Sequence, residues 1–140
     1  MIRFFTDPHL GVTRAANTTQ ASSKALQDAL FTQAMRAATY LQDDALVICL
    51  GDLFDNFSNP EAIHAQGMAL MQRTHMTLSG NHDVVNQAEK MGTLELLNTH
   101  LMQLKGHSQA LFAPFGKPAA HSWKLDKENT TLVFIPHVAS

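Results

Sequence analysis

Leu46-Val47-Ile48-Cys49-Leu50-Gly51-Asp52-Leu53-Phe54-Asp55 is the stretch on which the fold turns. Its first five residues are apolar with no polar alternation, as expected of a strand covered on both faces in a parallel sheet. A glycine then takes the chain out of the strand, and a carboxylate follows at once. Upstream, residues 23–41 place Leu26, Leu30, Ala34, Ala37 and Leu41 at three- and four-residue spacing, which predicts a helix with those positions on its buried face. Asp43 and Asp44 end it. Ile2 to Phe5 reads as a first strand, separated from the helix by a polar loop through Asn17, Thr18 and Thr19. The result is a βαβ unit.

Downstream the alternation continues. Asn59 as cap, Pro60 in the first turn and Glu61 as a first-turn acid predict a second helix running to about Arg73. Residues 75–78 then form a strand, and the pattern weakens after Gly80-Asn81-His82-Asp83. A short helix is expected at residues 93–97, with strands at 110–113, 121–125 and 131–135. No internal repeat or low-complexity tract interrupts the chain.

Composition narrows the function classes. With 45% hydrophobic residues over 140 positions, the chain can bury a real core and is expected to form a single domain over residues 1–140. A net charge of -2 gives none of the basic excess expected of a domain that holds nucleic acid unaided. No apolar run approaches the roughly 20 residues of a membrane span, and Met1-Ile2-Arg3-Phe4-Phe5 leads into a strand and not into a signal peptide. A cytoplasmic setting without membrane contact is expected. The lone Cys49, inside the apolar run, reads as a buried reduced thiol.

Three polar clusters each lie just past the end of a predicted strand, where open α/β sheets place ligands. They are Asp7-Pro8-His9, Gly51-Asp52-Leu53-Phe54-Asp55 and Gly80-Asn81-His82-Asp83. Between them they offer the carboxylates of Asp7 and Asp52, the amide oxygen of Asn81 and the imidazole of His9, a donor set suited to hard or borderline divalent cations. A carboxylate such as Asp52 can bridge two cations roughly 4 Å apart, and such a pair stabilises both the attacking and leaving oxygens of a phosphoryl centre. Gly51 and Gly80 suit turns in which the backbone must leave a strand and let a ligand come close. Taken singly, each of these polar residues has an ordinary reading as a loop cap or turn former. Only their joint order argues for chemistry.

That ordered set, DxH, GDxxD and GNHD, resembles the calcineurin-like metallophosphoesterases. The fuller forms DPHLG, GDLFD and GNHD look like the SbcD-type subunits of DNA double-strand-break nucleases and their phage-encoded relatives. The resemblance implies an α/β fold in which two mixed β-sheets form a sandwich flanked by helices. Protein phosphatases of the superfamily usually carry Arg-Gly after GDxxD and Glu after GNH, whereas Asn56, Phe57 and Asp83 stand at those positions here. The departure favours a nuclease over a phosphoprotein phosphatase.

Carried over by position, the resemblance implies that Asp7 and His9 bind a first metal, Asp52 bridges, and Asn81 binds a second. His82 would act beside the scissile phosphate, stabilising charge or protonating the leaving oxygen. Asp83 would orient it by accepting a hydrogen bond from its ring. Asp55 would steady the loop or His9 and leave the cation alone. The nucleophile would be a metal-bound water, and manganese is the favoured metal of the pair, with magnesium, iron and zinc compatible. The implied substrate is DNA, cut as exonuclease or endonuclease beside an SbcC-type ATPase subunit, with homodimers common in the family.

The family completes its site with a further histidine and a GHxH motif, neither visible before Ser140. His137 is the candidate substitute. It follows a strand and Pro136, at a place where the nuclease branch often carries an aromatic residue. The expectation is an N-terminal portion of a longer domain, which leaves open a non-catalytic binding or assembly module of the same fold, or a phosphatase or cyclic-nucleotide phosphodiesterase. His64, His75, His100, His107 and His121 show no mutual ligand spacing and read as structural, as do Met68, Met71 and Met76 in the core. The loop from Thr13 to Ser23, with Arg14 and Lys24, has the charge to contact a phosphate backbone, but a solvated loop is the expectation.

Overall fold

The computed structural model describes residues 1–13, 20–41, 46–83, 92–105, 111–112, 119–125 and 128–135. Its elements in chain order are β1 (Ile2–Phe5), α1 (Gln20–Leu41), β2 (Leu46–Cys49), α2 (Glu61–Met71), β3 (Met76–Thr77), α3 (Thr93–Lys105), β4 (Leu111–Phe112), β5 (Ala119–Leu125) and β6 (Glu128–Phe134). The α/β class expected from the alternation is what the chain adopts. β1 to β4 form a parallel sheet in sequential order, with Ile2 opposite Leu46 and Ile48 opposite Met76. β5 and β6 pair as an antiparallel hairpin, so among the described residues one sheet is wholly parallel and the other wholly antiparallel.

Sequential order has a consequence for the helices. Crossovers of one hand between neighbouring parallel strands put every helix on the same face, and α1 touches α2, which touches α3. The buried core between that helical layer and the sheet joins Ala38 of α1, Ile63, Leu70 and Met71 of α2, and Leu94, Leu97 and Leu101 of α3 to Cys49 of β2. Side chains alternate along a strand, so the neighbours of Cys49 face the other way. Leu46 and Ile48 pack with Met76, Leu78 and Phe134 of the hairpin, and Leu132 and Ile2 lie against them. The sheet is thus covered on both faces, helices on one and the hairpin on the other. This is why residues 46–49 carry no polar alternation.

Several boundaries differ from the sequence reading. α1 begins at Gln20, and its core-facing stripe runs through Phe31, Ala34, Met35 and Ala38, while Ala37 is exposed. Alanines in succession leave the periodicity ambiguous by one position, and packing against α2 resolves it. At α2, Asn59 does not cap. Pro60 occupies that position, and its carbonyl accepts from Ile63 and His64 (3.0 and 3.1 Å), while Asn59 turns its amide to Asn56 and Thr93. α3 extends well past residue 97 because Leu94, Leu97 and Leu101 recur on its buried side. Met71 and Met76 are fully buried, in the helix-side and hairpin-side cores, and Met68 packs against the core of Met71, as filler.

No described helix is long and apolar enough to cross a membrane. Cys49 is fully buried, and burial pushes its thiol up to about 12, which makes it an inert core residue at neutral pH. Lys24 pairs in the open with Asp28 at 3.0 Å. His75 is structural, as expected. Its Nδ1 accepts the Val47 N–H at 3.0 Å while its main-chain N–H donates to Val47 O at 2.8 Å, extending the β2–β3 ladder one step before β3 begins. His100 is exposed on α3. His107, Arg14 and the side chain of His121 fall outside the described residues.

Candidate metal-dependent phosphoester site

The loops leaving β1 and β2 run side by side as a continuation of the sheet. Asp7 N–H donates to Gly51 O and His9 N–H to Asp52 O, both at 3.1 Å. Leu10 N–H donates to Leu53 O at 2.9 Å, and Asp55 N–H returns to Leu10 O at 2.9 Å. Leu10, Leu53 and Phe54, which neighbour the polar residues, are buried in the helix-side core. Phe54 fits because α2 has Gly67 beneath it, where a Cβ would overlap the ring. The polar side chains therefore stand on loops tied together by four main-chain hydrogen bonds.

Three non-glycine residues adopt positive φ among those described: Asp7 (56°), His9 (45°) and Asp52 (50°). All three are candidate ligands. The left-handed region costs a residue with a Cβ on the order of 1–3 kcal/mol where strain is stored, and such outliers cluster at functional sites. The paired loop hydrogen bonds and buried apolar anchors hold them there. Gly51, at φ +136°, backs onto Gly80, with Gly80 Cα 3.2 Å from where its Cβ would stand. A Cβ on Gly80 would overlap the carboxylate and main-chain nitrogen of Asp52. The two glycines thus let the second and third clusters meet.

The result is a convergence of groups far apart in sequence. One donor atom each from Asp7, His9 and Asp52 lies within 4.8 Å of the others, and the same holds for His9, Asp55 and His82. His9 belongs to both groups. Its Nε2 is 3.6 Å from Asp7 Oδ1, and its Nδ1 is 3.0 Å from Asp55 Oδ1. The latter contact is off-axis for a hydrogen bond, so Nδ1 is buried without a hydrogen-bond partner. Asp52, 8% exposed, accepts the His82 N–H on Oδ1 at 3.0 Å. Asn81 sits between Gly80 and His82, both in contact with Asp52, and is exposed.

His82 stands at the rim with its ring edge-on to His9, centroids 5.0 Å apart. Its Nδ1 lies 2.7 Å from the main-chain carbonyl of Asp55. A carbonyl only accepts, so Nδ1 carries the hydrogen and Nε2 is left for a ligand. That hydrogen bond raises the imidazole's pKa above its ordinary value, with the carboxylates of Asp52, Asp55 and Asp83 adding to it.

Asp83 does something other than expected. Its carboxylate does not hold the His82 ring: Oδ2 accepts Gly80 N–H at 2.8 Å and Oδ1 accepts Phe54 N–H at 3.2 Å. A side chain 1% exposed and spent on two main-chain donors clips the third loop to the second. Burial raises its pKa from 3.8 to about 6 against the opposing effect of those donors. The partner of His82 is Asp55, through its main chain. No sequence signal could have revealed this, since every residue owns a carbonyl. His137 lies outside the described residues.

The donor set fits the divalent metals that such a site implies: two carboxylates and an imidazole, held in strained conformations with one carboxylate nearly buried. Carboxylates and histidines on converging loops past the strand ends of an α/β sheet make a candidate metal-binding site for phosphoester hydrolysis. Residues 1–137 match the family described as calcineurin-like phosphoesterase, and the chain belongs to that family. No curated protein matches the chain.

Proposed function

We propose that this protein is a metal-dependent phosphodiesterase that cuts DNA, as an SbcD-type nuclease subunit working beside an SbcC-type ATPase. The observation that carries the hydrolytic reading is the meeting of Asp7, His9 and Asp52 within 4.8 Å, with His82 at the same rim. Asp7 and His9 would hold one cation, Asn81 a second, and Asp52 would be shared; manganese suits this oxygen-rich set, as do magnesium, iron and zinc. When bound, such a pair supplies Lewis-acid neutralisation of phosphate charge and lowers the pKa of water.

The chain's own residues supply orientation and a proton. Asp55 O fixes the His82 ring through Nδ1 and leaves Nε2 to face the substrate, where the imidazolium form, which that hydrogen bond favours, would give its proton to the oxygen that leaves. Asp83 holds the third loop against the second, with the His82 main chain hydrogen-bonded to Asp52. The diester preference rests on the residues after Asp55. A phosphomonoester dianion is commonly met by a guanidinium, whereas Asn56 brings no charge and spends its side-chain amide on Gly11 O at 3.2 Å.

Hydrolysis of linear duplex DNA, single-stranded DNA, bis-p-nitrophenyl phosphate and p-nitrophenyl phosphate with added Mn2+ tests the reading, comparing the chain with Asp52→Asn. The expected result is cleavage of the diesters and DNA ahead of the monoester, lost in Asp52→Asn. Activity that is metal-independent or survives that substitution overturns the mechanism. A preference for the monoester overturns the DNA assignment alone.

A further inference from the structure

The loop bearing Asp52 and Asp55 is fastened at its far end to the first turn of α3. Thr93, the first residue of that helix, is 3% exposed. Its N–H donates to Phe57 O at 2.9 Å, and the Phe57 ring lies where a Cβ on Gly92 would stand. Its Oγ1 receives the Asn59 main-chain N–H at 3.0 Å and the Asn59 side-chain amide at 3.2 Å, and lies 3.3 Å from His64 Nε2. A hydroxyl has two lone pairs and one proton. Asn59 takes both lone pairs, so the proton goes to His64 Nε2, which must be the acceptor. This donor count assigns the His64 hydrogen to Nδ1, and every hydrogen-bonding position of the Thr93 hydroxyl is used.

Asn59 passes the constraint on. Its Nδ2 also donates to Asn56 O at 2.7 Å, and Asn56 Nδ2 donates to Gly11 O at 3.2 Å. Asn59 Oδ1 is buried with no hydrogen-bond partner, 2.7 Å from where a Cβ on Gly11 would stand, so the amide is held through its nitrogen alone. Gly11, at φ +78°, closes the loop that began with Asp7 and His9. One buried hydroxyl therefore ties α3 to both ligand-bearing loops. Asp55, whose carbonyl holds His82, lies inside the tied segment.

We propose that Thr93 is a positioning residue of the phosphoester site: its hydroxyl, acting through Asn59 and Asn56, sets the Asp55 carbonyl and hence the His82 ring. The inference rests on the proposed hydrolytic reading for its kinetic consequence, but not for its structural one. Thr93 touches neither a candidate metal ligand nor His82. Valine at this position keeps the shape and removes the hydroxyl, leaving both Asn59 donors without that acceptor. Serine keeps the hydroxyl.

The test compares the full chain with Thr93→Val, Thr93→Ser and, as a control for loss of stability alone, Leu101→Ala in the buried face of α3. The readouts are the His82 ring nitrogen resonances in the metal-free protein, the melting temperature, and kcat and KM for Mn2+-dependent hydrolysis of bis-p-nitrophenyl phosphate. Thr93→Val is expected to move the His82 resonances and lower kcat by about tenfold at little changed KM, since displacement of about 1 Å can cost up to about a hundredfold. Thr93→Ser restores both. Leu101→Ala lowers the melting temperature and leaves the His82 resonances in place. A folded Thr93→Val protein with wild-type resonances and kcat overturns the proposal. Should that variant not fold, Asn59→Ala severs the same tie from the loop side and is decided by the same readouts. Should the wild-type chain hydrolyse nothing, the proposed function falls, and the His82 resonances alone decide the role of Thr93.

Discussion

His82 Nδ1 lies 2.7 Å from the main-chain carbonyl of Asp55, and the carboxylate of that same Asp55 lies 3.0 Å from Nδ1 of His9. One residue therefore serves two imidazoles by two different groups, and substitution separates them. Asp55→Asn keeps the carbonyl and removes the charge beside His9. The expected outcome is a loss of about ten- to a hundredfold in Mn2+ affinity, the usual consequence of removing a carboxylate behind a ligating histidine. The His82 ring should keep its hydrogen bond to the Asp55 carbonyl while its pKa falls back toward the ordinary value, because the Asp55 carboxylate, 3.9 Å from Nδ1, helps to raise it. Calorimetric Mn2+ titration and nitrogen-detected NMR check the two halves independently.

Asp83 makes stability fall with pH in an acidic window. Its pKa is about 6 in the folded protein against 3.8 ordinarily, so between those values the folded state holds more protons than the unfolded one. Stability then decreases as pH rises from about 4 to about 6, by on the order of 2–3 kcal/mol. Asp83→Asn stays neutral throughout. Urea unfolding of the metal-free proteins across that range should show wild type losing stability relative to Asp83→Asn, and parallel curves would contradict the burial argument. Loss of the loop clip should also weaken the variant's site, since its amide nitrogen cannot accept from Gly80 or Phe54.

His75 works in the opposite direction. Burial lowers its pKa below the ordinary 6.5, and as the acceptor for Val47 N–H its Nδ1 must be unprotonated. The unfolded state binds the proton more readily, so this contribution is complete above the unfolded pKa and is lost as pH falls below about 6.5. His75→Leu should cost about 1–3 kcal/mol at pH 7.5, from a ladder N–H left without its acceptor, and should remove that part of the acid sensitivity. Denaturant unfolding at pH 7.5 and 5.5 measures both effects.

Gly80→Ala tests whether the second and third loops must touch. The added Cβ would overlap the Asp52 carboxylate and its main-chain nitrogen, which no side-chain rotation relieves on the nitrogen side. The loops must part. A destabilisation of roughly 1–3 kcal/mol is expected, with Mn2+ affinity reduced far more than stability because Asp52 itself is displaced. Equal Mn2+ affinity in the variant, by calorimetry, would show that the contact is dispensable.

The parallel sheet, its helices and the three loop clusters were legible in the sequence because they depend on local signals. An unbroken apolar run marks a strand buried on both faces, and glycine followed by a carboxylate marks where a loop leaves it. Residues 46–55 alone fixed that much. The family followed from motif order, and residues 1–137 match it. On α1, by contrast, the expected stripe holds at Ala34 but gives Ala37 where Ala38 is the buried residue, because two successive alanines have no preferred face until α2 packs against them.

The sequence by itself determined which residues could carry chemistry; only the tertiary structure decided how they hold one another. Asp83 follows His82 directly, and adjacency suggested a ring partner. Folding instead buries that carboxylate on the N–H groups of Gly80 and Phe54 and hands the ring to a carbonyl 27 positions earlier. Main-chain donors and acceptors are the same at every residue, so their use is written in the path of the chain and not in side-chain identity. The positive φ of Asp7, His9 and Asp52 has the same origin: strain that no local propensity favours, sustained by two loops paired across the sheet end.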